Sequence, residues 1–303
     1  MSLKIFVCAC TFRRPEGLAK LLRSCRLLDV RDDMELSFII VDNDDTPSSQ
    51  SVFQRETHDF PWACRYVHEP QPGIPMARNR VLSEAGEEGF LAFVDDDETV
   101  TPSWLVELVQ MAERTGAAFV QGPVRMLVDD ARDRWWLHTL FFEQRRYADG
   151  ETRNESWTSN VLLDLSFTAR HRCRFDKRLS FTGGEDTLFF QDVVRAGGLG
   201  AYALNAWVCE KQPAHRLSWR WAVGRQFRFG NTRALTVLLR RSRLHSTAYC
   251  LVRGVGMTVV GLGWLASSLL KGRRGFANGI ALLARAAGVF SGLAGARMLG
   301  YPR

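Results

Sequence analysis

Apolar residues in the first 120 positions follow two alternating rhythms. Short unbroken runs, Ile5 to Cys10, Leu36 to Val41, Ala63 to Val67 and Phe90 to Val94, have the length and composition of buried strands. Between them apolar residues recur at helical spacing. Leu18, Leu21, Leu22 and Leu28 form such a stripe behind Pro15, a residue suited to a helix's first turn. Pro75 to Glu87 and Pro102 to Arg114 predict two more helices, and Ala117 to Val120 is a further apolar run. This alternation predicts a parallel, helix-covered α/β sheet. Thr11, Asp42 and Asp95 to Asp97 directly follow strands, at the edge where open α/β sheets bind ligands.

From about residue 129 the pattern changes. Trp135, Trp136, Phe141 and Phe142 crowd a stretch without clear period. A β-like run follows at Asn160 to Phe167. Gly183-Gly184 then opens a helix from Glu185 to Ala196, and a last strand is expected from Ala201 to Glu210. Arg216, Arg220, Arg225, Arg228 and Arg233 come next, several on one helical face, interleaved with Trp219, Trp221, Phe227 and Phe229. Gly254 to Leu270 is a 17-residue run without charge, and Phe276 to Leu299 is broken only by Arg285 and Arg297. Both are rich in Gly and Ala. The chain is thus read as an α/β domain over 1–210, a basic helical segment over 211–245 and an apolar, membrane-associating helical region over 246–303.

Charge sharpens this division. The 303 residues carry 40 basic and 33 acidic side chains, a net of +7. All the acids lie at or before Glu210, against 24 bases, so that portion carries −9; the remainder holds 2 Lys and 14 Arg, +16. With 46% apolar residues the chain is long enough for a sizeable core and is not disordered. Seven scattered cysteines without a C-x-x-C pair read as small core residues in a reducing compartment. The first eleven residues read as strand and turn rather than as a leader, so the chain is expected to stay in the cytosol.

Four clusters carry chemistry. Asp95, Asp96 and Asp97 repel one another unless a cation or donors face them, and hard oxygens of this kind suit Mg²⁺ or Mn²⁺. The alternative is a solvated acidic turn. Glu185 and Asp186, behind two glycines, are either acids on a helix dipole or a general base aimed into a cleft. Asp42, in Val41-Asp42-Asn43-Asp44-Asp45, is placed to bond a base or ribose, or belongs to a solvated loop. Arg78, one turn into a helix, and Arg80 neutralise phosphates or form an ordinary basic face. Glu210 and His215 are further candidates to approach a cation.

Together these pieces resemble the inverting nucleotide-sugar glycosyltransferases of family 2, of GT-A fold. The likeness rests on CACTFRRPEGLAKLL at 8–22, FIIVDNDD at 38–45, PGIPMARNRVL at 72–82 and FLAFVDDDETVTPSWL at 90–105. SNVLLDLS at 159–166 and FDKRLSFTGGEDTLFF at 175–190 complete it, over roughly residues 3 to 230. Within the family the chain resembles bacterial succinoglycan-type exopolysaccharide glucosyltransferases. The resemblance implies a Rossmann-like GT-A domain and a nucleotide-diphosphate donor, UDP-linked by the presence of Asp42. It places Thr11, Asp42, Arg78, Asp95, Arg225 and Arg228 at the donor, and Asp97 and Asp95 at a Mn²⁺ or Mg²⁺. It makes Asp186 the catalytic base, with Glu185 and Asn160 lining the cleft on the acceptor side. The acceptor would be a glycan or lipid-linked glycan.

A rival reading uses the same aspartates. Asp95-x-Asp97-x-Thr99-Val100 also resembles the signature of haloacid-dehalogenase phosphatases, with Asp95 as nucleophile. That motif usually follows a chain's first strand, whereas here three β/α units precede it. A non-catalytic nucleotide-sugar-binding protein is the other alternative. Nucleic acid is excluded as a partner because no nucleic-acid module accompanies the arginines. For the tail, a two-span hairpin would put Lys271, Arg273 and Arg274 on the far side of a membrane, against the positive-inside tendency. Helices lying on the cytoplasmic face, peripheral or monotopic, avoid this, with spanning helices the alternative.

Overall fold

A computed structural model describes residues 2–142 and 145–300. Four strands, β1 (Leu3–Thr11), β2 (Met34–Asp42), β3 (Ala63–His68) and β4 (Phe90–Phe93), run parallel, as the apolar runs predict. They alternate with α1 (Pro15–Cys25), α2 (Gln50–Thr57) and α3 (Ile74–Ala85). After β4 come β5 (Glu98–Val100), α4 (Trp104–Thr115), β6 (Phe119–Gln121) and β7 (Val124–Leu127). Then follow β8 (Val161–Asp164), α5 (Leu165–Arg170), α6 (Glu185–Arg195), β9 (Gly200–Tyr202) and β10 (Val208–Lys211).

The main sheet has the order β3-β2-β1-β4-β8-β6-β9, with β8 antiparallel to both neighbours. One face buries Leu18, Leu22, Trp104 and Leu108; the other buries Val81, Phe175, Phe189 and Phe190. Each such fully buried side chain contributes about 1.5–3 kcal/mol. A smaller sheet, β5-β10-β7, sits beyond the end of β4. All seven cysteines are free.

Two sequence expectations need correction. The run Asn160 to Phe167 is strand only to Asp164. The Asp164 side chain accepts the Phe167 N–H at 3.1 Å and turns Leu165 onward into a helix, an N-cap the apolar pattern conceals. The single strand expected over Ala201 to Glu210 is two, β9 in the main sheet and β10 in the small one, separated by a turn at Leu204-Asn205.

The basic and apolar segments are not independent. Helix α7 (Trp219–Arg240) packs along α9 (Ser268–Leu293), and α8 (Arg243–Ala266) covers another side of α9, whose start is turned by Gly272 at φ 55°. A methyl group on Gly288 would fall within contact distance of the Phe227 carbonyl, and one on Gly292 would meet the Asn231 carbonyl at 2.7 Å. The abundance of Gly and Ala is thus what lets α7 and α9 cross closely. Helices α8 and α9 are each long and apolar enough to cross a membrane by length and composition. Helix α8 leaves Val252, Val255, Val259 and Leu262 exposed as a stripe, and Leu269 and Leu270 are 93% exposed.

Gly288→Ala should lower the thermal unfolding midpoint by the equivalent of about 1–3 kcal/mol through overpacking. Gly256→Ala, which meets no atom within 4 Å, should leave it unchanged or raise it, alanine being favoured in a helix by about 0.5–1 kcal/mol. Circular dichroism melts of the two variants read the difference.

Candidate active site

Parallel pairing aligns the ends of β1, β2 and β4. Thr11 is in register with Asp42, and Cys8 with Phe93, so Asp95 falls beside the end of β1. Helix α1 then approaches the aspartates so closely that a Cβ on Gly17 would lie 2.5 Å from the Asp96 carbonyl oxygen. Arg14, just before α1, donates to Asp96 at 3.0 Å and to Asp97 at 2.9 Å. Asn43 fixes the next element: its amide donates to the Glu69 and Gln71 carbonyls and its Oδ1 accepts the Gly73 N–H, which sets the start of α3.

Helix α3 carries Arg78 into the centre. The guanidinium is largely buried and donates to Glu185 Oε1, with Asp186, Asp95 and Cys10 as its other charged or polar surroundings. Although burial opposes it, these acids hold Arg78 firmly protonated. Asn79, beside it, exchanges two hydrogen bonds with the Phe175 backbone, tying α3 to the segment that leads to Glu185. Arg78 therefore joins motifs that spread over 107 positions of sequence.

The acids around it are held unusually. Burial pushes the Asp95 carboxyl up to about 7, against the pull of Arg78 and with help from Asp97, Asp96 and Glu210. Burial likewise raises Asp96, opposed by Arg14. Glu98 is buried, accepts the Asp95 N–H at 3.0 Å and is raised well above the carboxylate range. Pairing of β10 with β5 sets Glu210 opposite Glu98. Arg216 then bridges Glu210 at 2.8 Å and Asp97 at 3.3 Å. Among the described residues no three His, Cys, Asp or Glu side chains form a ready cation site.

Glu185 and Asp186 open α6 behind Gly184, whose φ of 89° and approach to Thr232 favour glycine. Burial raises Glu185 to about 7, and its Oε2 is buried without a partner. Asp186 stays partly exposed. Its Oδ1 accepts the Thr187 N–H at 2.6 Å, and burial raises its carboxyl against the pull of Arg78. Thr232 on α7 donates to the Thr182 carbonyl at 2.9 Å. The stretch from Arg216 to Thr232 thus runs from the aspartates to the Asp186 turn.

The remaining sequence-named residues lie elsewhere. Asp42 is fully buried; it accepts the backbone N–H groups of Asp44 and Ser49 and the Tyr66 hydroxyl, so it shapes the loop instead of facing the cleft. Thr11 is likewise buried. Asn160 does not line the cleft: it accepts from the Trp104 indole at 2.7 Å and donates to the Pro123 and Ala206 carbonyls. Arg228 donates to the Gly300 carbonyl, and Arg225 lies against Trp221 and Phe229. The arginine of that row that reaches the aspartates is Arg216. His215 is exposed. Arg14 and Glu98 carried no sequence signal beyond their proximity to named motifs.

The α/β sheet, with carboxylates and a buried arginine at its C-terminal edge, has the GT-A fold of nucleotide-sugar enzymes. The model of the family "Glycosyl transferase family 2" matches residues 6–177, and the chain belongs to that family. It is a glycosyltransferase. It is 40% identical over 232 residues to the succinoglycan biosynthesis protein ExoM of Rhizobium meliloti (strain 1021), covering 76% of this chain and 74% of that one. Its fold is similar to the mannosyltransferase PcManGT from Pyrobaculum calidifontis in complex with GDP-Man and Mn²⁺, with TM-score 0.69, 16% identity and coverage of 97% and 88%. It is also similar to residues 1–349 of S. aureus TarS in complex with UDP-GlcNAc, with TM-score 0.52, 13% identity and coverage of 97% and 92%. The phosphatase reading falls with family membership.

Asn160→Ala should cost about 1–3 kcal/mol of stability, because it takes the partner from the buried Trp104 indole and the Ala206 carbonyl and one of two donors from the Pro123 carbonyl. A urea titration checks the loss. The surviving folded enzyme should bind nucleotide-sugar as the parent does; a selective loss of acceptor turnover without destabilisation would restore Asn160 to the cleft.

Proposed function

We propose that this glycosyltransferase moves a sugar, with inversion, from a nucleotide-diphosphate donor to a lipid-linked glycan in exopolysaccharide synthesis. The observation that carries the reading is the convergence of Asp95, Glu185 and Asp186 on the buried Arg78. The likeness to ExoM supports the pathway class, and the UDP-GlcNAc complex of TarS supports a UDP-sugar among donors.

In this reading Asp186 takes the proton of an acceptor hydroxyl. That oxygen attacks the anomeric carbon in line, and the bond from that carbon to the diphosphate breaks. One displacement inverts the centre and needs no covalent intermediate. Burial, which raises the Asp186 carboxyl, makes it a stronger base than an exposed aspartate. Arg78 and Arg216 hold positive charge where the diphosphate departs. Arg225 and Arg228, on the helix between the two ends of the site, line the donor only if their side chains leave their present partners.

The residues fit a divalent cation. Asp95 and Asp97 offer hard oxygens and both stay partly exposed, and at Asp95 desolvation outweighs the pull of Arg78. Mg²⁺ and Mn²⁺ sites of this kind use one or two carboxylates plus substrate phosphates, so two protein ligands suffice. A bound cation would supply Lewis-acid stabilisation of the leaving diphosphate.

The α7–α9 unit would hold the enzyme at the cytoplasmic membrane face. The exposed α8 stripe supports insertion into the interface. Spanning is disfavoured because α9 packs along the arginine-rich α7, which a spanning α9 would carry into the hydrocarbon. A carrier-linked acceptor explains why a soluble catalytic domain needs such a surface.

The test is Asp186→Asn assayed with a panel of UDP-, GDP- and dTDP-sugars and Mn²⁺ or Mg²⁺. One donor should bind the parent and the variant alike, while turnover falls by about 10²–10⁴. Turnover preserved in the variant would remove Asp186 as base. A parent that binds a donor but transfers nothing would favour the non-catalytic binding protein.

A further inference from the structure

The segment after α9 is held without being buried. Ala294 to Leu299 are exposed, and Gly295, at φ 92°, turns the chain back along α7. The Asn231 side chain, itself 1% exposed, donates to the Ala296 carbonyl at 2.9 Å and accepts the Met298 N–H at 3.0 Å. One turn earlier on α7, Arg228 Nη1 donates to the Gly300 carbonyl at 2.9 Å. The Gly300 N–H points the other way and donates to the Phe181 carbonyl at 2.7 Å. A strap this exposed buries too little apolar surface to add much to the fold. What its hydrogen bonds achieve is to set one N–H against Phe181.

Phe181 lies in the turn that leads to Glu185 and Asp186. The turn's own hydrogen bonds are long: Thr182 N–H to the Leu179 carbonyl and Ser180 N–H to the Lys177 carbonyl, both at 3.3 Å. Gly183 and Gly184 follow at φ 79° and 89°. Glycine enters such conformations at little cost and leaves them as easily. The helical unit supplies ties from outside. Gly300 bonds the Phe181 carbonyl, and the Thr232 hydroxyl of α7 bonds the Thr182 carbonyl at 2.9 Å. Two adjacent carbonyls of the turn are thus fastened to the tail, and Asp186 follows four positions after the second.

We infer that the strap of Ala296 to Gly300 positions the Asp186 turn, with Asn231 and Arg228 as the residues that hold it in place. Arg228 then acts on the reaction through Gly300 and Phe181, without touching the donor diphosphate. The inference rests on Asp186 as the base proposed above. It gives the tail a part in the chemistry that is separate from any contact with a membrane.

Amide hydrogen exchange of the full chain tests it. Gly300→Pro removes the N–H given to Phe181 and keeps the carbonyl that Arg228 takes. The nearest atom to a Cβ there is Arg228 Nη1 at 3.0 Å, the end of a flexible side chain. Arg228→Met removes the anchor and serves should the proline variant fail to fold. In each variant the amides of residues 181–187 should exchange about fivefold faster, the worth of one hydrogen bond, while those of β1 and β4 keep the parent's rates. The double variant should exchange no faster than either single one, because both cut the same connection. Hydrolysis of the donor found by the panel above, with water as acceptor, should slow about tenfold or more in kcat with KM unchanged. UDP with Mn²⁺ should bind both variants as it binds the parent, and Arg228→Lys, which can still donate to Gly300, should behave as the parent. Unchanged exchange of the turn in both variants, or faster exchange throughout the sheet, would overturn the positioning role. Loss of UDP affinity in Arg228→Met but not in Gly300→Pro would overturn it too and return Arg228 to the donor. Full turnover by Asp186→Asn would instead remove the base, while leaving the strap's hold on the turn to be read from exchange alone.

Discussion

The site depends on one buried charge. Arg78 is the common neighbour of Asp95, Glu185 and Asp186, which arise from the end of β4 and the start of α6. Each carboxyl is displaced upward by burial, and each is drawn back by this guanidinium. Without it the enclosure would be a set of desolvated acids competing to stay neutral. With it they stay close together, and two of them, Asp95 and Asp186, keep an exposed edge. Much of the surrounding structure serves to place Arg78. Asn43 sets the start of its helix, and Asn79 ties that helix to the segment before the Gly183-Gly184 turn.

The C-terminal helices belong to the same construction. Arg216 clasps Asp97 and Glu210, and the helix that follows lays Thr232 on the Asp186 turn. Because α9 is locked to α7 by close glycine contacts, any surface that α8 and α9 present to a membrane is held in fixed relation to the cleft. That linkage gives a physical reason for an acid-free tail. In the proposed reading its charges meet phosphates, while its small residues provide the rigid crossing.

Most of the alternation of strands and helices up to α4 was legible because those elements carry their own local period; the short α2 and β5 were not read from the sequence. The aspartates and Asp186 were legible as types at a ligand edge. What escaped depends on contacts distant in sequence. Glu98 and Glu210 meet only through strand pairing across 112 positions. Asn160 has the composition of a cleft residue, and nothing local reveals that Trp104, Pro123 and Ala206 consume its side chain. Arg216, Arg225 and Arg228 are equivalent as a helical row; the short turn before α7 distinguishes Arg216 by leaving it beside β10. Gly and Ala richness is shared by bilayer helices and close-packed ones, so it did not reveal that α7 was the partner of α9.

The central claim is that Arg78 is the shared countercharge, and a double-mutant cycle of Arg78→Met and Glu185→Leu measures it by urea unfolding. Arg78→Met alone should cost about 3–5 kcal/mol, since it strands buried carboxylates. Adding Glu185→Leu should restore part of that loss, giving a coupling energy of about 1–3 kcal/mol. Losses that simply add, to within about 0.5 kcal/mol, would contradict the account.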